Sequence, residues 1–64
     1  MFNLKFATGG SAFRDPYNGE EDDLFKRLEC VRILKRIIQE LEDGDTYGPI
    51  MDINGNKVGE WSNE

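Results

Sequence analysis

The sequence predicts an α+β domain in which one long helix packs on one face of a three-stranded antiparallel sheet, with the element order β-α-β-β. Three observations carry this prediction. Apolar and polar residues alternate at the N-terminus, a long central stretch has helical periodicity, and Asn-Gly separates two apolar-rich runs near the C-terminus. A chain of 64 residues is also short enough to predict a single domain over residues 1–64.

The first predicted element is a half-buried strand. Phe2, Leu4 and Phe6 alternate with less apolar residues, which predicts a strand over residues 2–7. A loop rich in glycine and turn-forming residues follows over residues 9–19. We expect Phe13 to pack at the edge of the core and hold this loop in place.

The second predicted element is a helix from about Glu20 to Asp43. Carboxylates fill its first turn, where they oppose the positive end of the helix dipole, and Gly44 suits a left-handed cap after its last turn. Its periodicity places one apolar stripe on a single face. We predict that stripe to be the core face: Leu24, Leu28, Val31, Leu34, Ile38 and Leu41.

Three further apolar residues widen the apolar part of this helix. Cys30, Ile33 and Ile37 extend it to about 220°, whereas a helix on one small sheet needs roughly 100° or a little more. Two interpretations remain open: the sheet and loop cover the extra flank, or the flank is an interface. We favour the second, because a small monomer gains much by burying more surface, and predict a homodimer formed through these three residues.

The C-terminal hairpin is the clearest local signal. Asn54-Gly55 suits a two-residue type I′ turn, which pairs Asp52 with Lys57 across the strands. That register gives a core face with three apolar side chains: Met51, Ile53 and Val58. It gives an outer face with two: Ile50 and Trp61. We place the first strand beside the last, antiparallel to it, for a sheet order of 2-3-1.

Several functional classes are disfavoured by composition. The chain has no histidine and a single cysteine, Cys30, so no Ser-His-Asp or Cys-His catalysis and no multi-cysteine zinc site is expected. The run from Asp52 to Asn56 resembles the start of a calcium loop but lacks its glycine and glutamate. We predict no catalytic residues, no metal site and no cofactor.

Charge and hydropathy indicate a protein partner in the cytoplasm. The net charge of −5 argues against direct binding to nucleic acid, the apolar runs are too short to enter a membrane, and a lone cysteine suits a reducing compartment. One acidic cluster lies at the helix C-terminus, where the dipole disfavours negative charge. We predict that it binds a basic host protein, such as one that holds nucleic acid: Glu40, Glu42, Asp43 and Asp45.

The pattern as a whole resembles a group of small proteins encoded by phages and prophages. The resemblance lies in the strand Phe2-x-Leu4-x-Phe6, the loop ending Ser11-Ala12-Phe13 and the segment from Ile50 to Trp61, whose ending is similar to "DINGN-x-VG". It implies an accessory protein of a phage or mobile element in the bacterial cytoplasm. Such a protein would bind and occlude a host component, as anti-CRISPR inhibitors of host defence do.

Two other functions stay open at this point. One is an oligomeric, metal-dependent nuclease or hydrolase, or a small-ligand module, whose candidate residues are Asp15 and the carboxylates Glu20, Glu21, Asp22 and Asp23. The other is a structural accessory of a phage particle.

Overall fold

Three strands, one long helix and one short 3-10 helix make up the chain, and the computed structural model describes residues 1–64. The predicted α+β class, with one α-helix and a three-stranded antiparallel sheet, is confirmed. In chain order the elements are β1 (Phe2–Phe6), the 3-10 helix (Ser11–Phe13), α1 (Asp23–Glu42), β2 (Tyr47–Met51) and β3 (Lys57–Asn63).

The sheet has the order β1-β3-β2, so the last strand is central and the first strand lies beside it, as predicted. β1 pairs antiparallel with β3, with Leu4 opposite Trp61 and Phe6 opposite Gly59. Gly59 permits the close approach of these two strands, because a Cβ at this position would lie 1.9 Å from the carbonyl oxygen of Lys5.

The helix α1 begins later than predicted. Its N-cap is Asp22, whose Oδ1 accepts a hydrogen bond from the backbone N–H of Leu24 at 2.8 Å. The residues before it are extended, and Glu21 forms an isolated bridge with Arg14. The other end agrees with prediction, since the helix ends at Glu42 and Gly44 follows with a φ of 95°.

The buried core is small and differs from the predicted one. Phe13 is fully buried, which confirms its predicted role. From the helix, the core takes Ile33 and Ile37, whereas the stripe predicted as the core face is largely exposed. The remaining buried apolar side chains come from the sheet: Ile50 and Trp61.

The predicted core face of the helix is wrong because two carboxylates also belong to the side that packs on the sheet. Glu29 is 6% exposed, and its Oε2 accepts a hydrogen bond from the backbone N–H of Ile53 at 2.8 Å. The Oε2 of Glu40 accepts a hydrogen bond from Trp61 Nε1 at 2.8 Å. A hydropathy pattern counts both residues as solvent-facing, so the true core face is too polar to be recognised by periodicity alone.

The predicted hairpin register is wrong by one residue next to the turn, whereas the pairing beyond it, with Ile50 opposite Gly59, agrees with the prediction. The side chain of Asp52 accepts hydrogen bonds from the amides of Asn54 and Asn56, which holds a turn longer than two residues in which only Gly55 has a positive φ. Met51, rather than Asp52, therefore lies opposite Lys57.

The predicted core and outer faces of the hairpin are reversed, because α1 packs on the face that carries Ile50 and Trp61. Both of these residues are 2% exposed, while Met51 and Ile53 are 43% and 67% exposed. The register also shifts between Ile50 and Met51, where β3 carries one extra residue. Trp61 packs against Gly48, where a Cβ would lie 3.2 Å from its Nε1.

The molecule is elongated, with extents of 39 × 18 × 16 Å and a Cα radius of gyration of 12.4 Å. A compact chain of this length has a radius of gyration of about 11 Å. Neither helix has the length and hydropathy that crossing a lipid bilayer requires.

Candidate protein-binding surface

Five apolar side chains form a continuous exposed stripe along α1. Each of them is between 43% and 54% exposed. Their spacing of three or four residues places them on one side of the helix. We call this surface the helix ridge: Leu24, Leu28, Val31, Leu34 and Ile38.

The helix ridge points away from the sheet because the opposite side of α1 is anchored to it. At about 100° per residue, Val31 points about 160° away from Ile33. Ile33 packs in the core, the Glu29 side chain accepts a hydrogen bond from the turn before β3, and the Glu40 side chain accepts one from Trp61. The helix is therefore attached in its middle and near its C-terminal end. Rotation of the helix to hide the ridge would break all three attachments.

The helix ridge is large for a domain of this size. Five half-exposed aliphatic side chains present about 400 Å² of apolar surface, within the range of the largest apolar patch on an ordinary monomer, which is often a functional one. The accessible surface of the chain is 4736 Å². A compact monomer of 7.4 kDa exposes about 4,200 Å². The chain therefore exposes more surface than its mass requires, and the ridge is a substantial part of it.

The predicted self-association residues do not lie on this surface. Ile33 and Ile37 are 2% and 4% exposed in the core of one protomer, and Cys30 is half-buried against the same core. Their assignment to an interface is wrong, because the packing of the sheet already covers them. The apolar surplus of the helix exists, but it lies on the other face.

The predicted acidic site divides into a structural residue and three exposed ones. Glu40 is half-buried and engaged by Trp61 and Arg36, so it serves the fold. The other three carboxylates are exposed: Glu42, Asp43 and Asp45. A role for them in binding a basic protein remains a prediction.

The carboxylates proposed for a metal-dependent reaction are dispersed. Asp15 accepts a hydrogen bond from the amide of Tyr17, Asp22 caps α1, and Asp23 pairs with Arg27 at 3.0 Å. No group of three or more metal-ligating side chains comes together in the structure. The geometry therefore lends this alternative no support.

A polar network beside the ridge secures the hairpin to the helix. Arg32 Nε donates to Glu29 Oε1 at 2.5 Å, and Arg32 Nη2 donates to the carbonyl oxygen of Met51 at 3.1 Å. The hydrogen bond to Glu29, together with the charges of Glu29 and Asp52, raises the pKa of Arg32 against the opposing effect of burial. This cation is internally paired and serves the fold.

Comparison of the chain with family models, curated proteins and solved structures finds no match. The assignment of function therefore depends on the helix ridge and on the charges around it.

Proposed function

We propose that this chain is a non-enzymatic protein-binding module that docks through its helix ridge and covers part of the surface of another protein. The observation that carries the proposal is the ridge itself. Five apolar side chains are held in the solvent by a helix that cannot turn them inward. Such a surface is typical of a protein interaction site.

The setting of this function follows from the resemblance to small phage proteins. An accessory protein of a phage or mobile element, acting in the bacterial cytoplasm, would bind a host component and occlude it, as an inhibitor of a defence system does. The exposed carboxylates Glu42, Asp43 and Asp45 adjoin the ridge at the end of α1, which suits a basic partner surface.

The test replaces two ridge residues, Val31→Glu and Leu34→Glu, in one chain. Both side chains are nearly half exposed, so the fold should survive, which circular dichroism verifies. Chemical cross-linking in bacterial lysate and capture from it then compare this variant with wild type and with Lys57→Glu, a charge reversal on β3. We expect the ridge variant alone to lose its contacts with other proteins. A ridge variant that keeps every contact of the wild type would contradict the proposal.

A further inference from the structure

We infer that the free edge of β1 pairs with β1 of a second copy in antiparallel orientation, so that the sheets of the two copies join into one continuous sheet. The inference goes beyond the proposed function, because it concerns a different surface of the molecule. The helix ridge points away from the sheet, so it stays free on both copies to bind a protein partner. Two observations carry the inference: the unpaired backbone of β1 and the symmetry of its sequence.

The outer edge of β1 carries backbone groups that no other part of the chain bonds. The N–H of Ala7 donates to the carbonyl oxygen of Val58 at 2.9 Å, and hydrogen bonds to β3 recur at every second residue of an antiparallel ladder. The odd-numbered residues of β1 therefore bond to β3. The even-numbered residues turn their N–H and C=O groups to the other side, where no strand lies: Phe2, Leu4 and Phe6.

The two edges of the sheet differ in their capacity to pair. On β2, the carbonyl oxygen of Thr46 accepts a hydrogen bond from the N–H of Asn63 at 2.7 Å, so the same alternation turns Pro49 to the outer edge. Proline has no N–H and is typical of an edge that avoids pairing. β1 contains no proline, and each of its outward residues keeps a donor and an acceptor. The edge that can accept another strand is therefore β1.

The sequence of β1 is symmetric about its central residue. It reads Phe-Asn-Leu-Lys-Phe, with Leu4 in the middle. A two-fold axis at Leu4 sets Leu4 against Leu4 of the second copy, and Phe2 against Phe6 of the second copy. These are the residues with free backbone groups, so every free N–H on one edge meets a free C=O on the other. An isologous interface of this kind uses the same strand twice and closes on itself.

Apolar side chains also match in this register. On the core face of the sheet, Phe2 stacks on Trp61 with the ring centroids 5.9 Å apart, and Leu4 lies opposite Trp61 in the ladder. Phe2 is nonetheless 45% exposed in a single protomer. In the dimer, Phe6 of the second copy would lie across from Phe2 and cover it, as cross-strand aromatic pairs do. The dimer therefore completes the core at the open side of the sheet.

The outer face and the alternative registers select the same axis. With the axis at Leu4, Asn3 of each copy faces Lys5 of the other, so no like charges are opposed. An axis at Lys5 would oppose two lysines, and an axis at Asn3 would leave the free groups of Phe6 without partners. A strand of another protein would have to match this pattern by its own sequence, whereas a second copy matches it by symmetry.

The first test changes the charge that faces Lys5 of the second copy. Asn3 is exposed, so its substitution should leave the fold of one protomer intact, which circular dichroism verifies. We expect Asn3→Lys to weaken the dimer about fivefold in sedimentation equilibrium, because it opposes like charges twice, and Asn3→Glu to strengthen it by a similar factor. Tyr47→Lys and Tyr47→Glu make the same side-chain charges on the other edge strand and should leave the dimer unchanged.

The second test blocks the edge without changing a side chain. N-methylation of Leu4, introduced by chemical synthesis, replaces an N–H that β3 does not use, so the ladder within one protomer stays intact. We expect this chain to be monomeric at concentrations where wild type is a dimer. N-methylation of Tyr47, whose N–H lies on the outer edge of β2, is the matched control and should leave the dimer unchanged.

The outcomes separate this inference from the proposed function. Opposite shifts in the two Asn3 variants, with loss of the dimer on methylation of Leu4, support pairing through β1. A wild-type chain that is monomeric at every concentration overturns the inference, and so does a dimer that survives methylation of Leu4. The proposed function is tested independently, because the methylated chain keeps its ridge and should still capture the proteins that the Val31→Glu, Leu34→Glu variant loses.

Discussion

Single side chains decide how this small domain holds together, and Glu29 is the clearest case. It is a carboxylate on the core face of α1, 6% exposed, that binds both Arg32 and the backbone N–H of Ile53. Through it the helix is tied to the turn between β2 and β3. Removal of a buried acceptor costs more than the hydrogen bond contributes, because its donors lose their partner and stay out of water.

We expect Glu29→Ala to lower the free energy of unfolding by about 2 kcal/mol, since the amide of Ile53 then lacks an acceptor and Arg32 lacks its counter-charge. Urea denaturation measures this change. Glu20→Ala deletes an exposed carboxylate and is the control, with an expected change within about 0.5 kcal/mol. Equal effects of the two substitutions would show that the Glu29 contacts do not hold the hairpin.

The residue scale also shows why the pairing next to the hairpin turn could not be predicted from the sequence. Asn54-Gly55 is a strong signal for a two-residue turn. Asp52 overrides it, because its carboxylate accepts two amide hydrogen bonds within the turn and is itself buried. The turn lengthens by one residue, and the bulge in β3 returns the strands to the predicted pairing from Ile50 and Gly59 onward. The position of the turn was therefore predictable, but its length depended on one side chain.

At the scale of elements, α1 is a helix with two apolar faces. One face packs on the sheet through Ile33 and Ile37, and the other is the helix ridge. Periodicity favours the ridge as the core face, because it holds more apolar residues than the opposite side. In the structure the other face is buried, because Glu29 and Glu40 on that face accept hydrogen bonds from the hairpin backbone and from Trp61.

Alanine substitutions on the two faces should differ in cost. We expect Ile33→Ala and Ile37→Ala each to destabilise the chain by about 2–4 kcal/mol, since each leaves a cavity in a core of five buried residues. Leu34→Ala and Ile38→Ala, measured where the chain is monomeric, should cost less than about 1 kcal/mol, because half of each side chain is already in water. Chemical denaturation of the four variants checks this, and a larger cost on the ridge would reverse the assignment of the two faces.

The whole molecule has little core for its surface. Only five apolar residues are buried, while the accessible surface is 4736 Å² and the shape is elongated. Domains below about 70 residues rarely gain enough stability from one core, and oligomerisation is a common remedy. Association through the ridge would cover five half-exposed apolar side chains. Pairing of β1 with a second copy would join two sheets into one.

Stability should consequently depend on protein concentration. Only the folded chain can associate, so a higher protein concentration stabilises the folded state. We therefore expect the thermal midpoint of wild type to rise over about a hundredfold increase in concentration. The chain with N-methylated Leu4 should unfold at one midpoint throughout, as a monomer does. Differential scanning fluorimetry with calorimetry measures both, and a wild-type midpoint that stays constant would contradict self-association.

The sequence by itself determined the class of this protein: one α-helix, three antiparallel strands with the last in the centre, the ends of the elements to within a few residues, and an apolar surplus on the helix. The elements follow from local periodicity, caps and glycines, and the sheet order follows from the preference for antiparallel pairing. Only the tertiary structure decided which face of α1 is inside, and so where the binding surface lies. The reason is physical. When both faces of a helix are apolar, the buried one is the face that makes the better contacts with the sheet. Here the backbone N–H of Ile53 and the indole of Trp61 donate hydrogen bonds to carboxylates on one face alone.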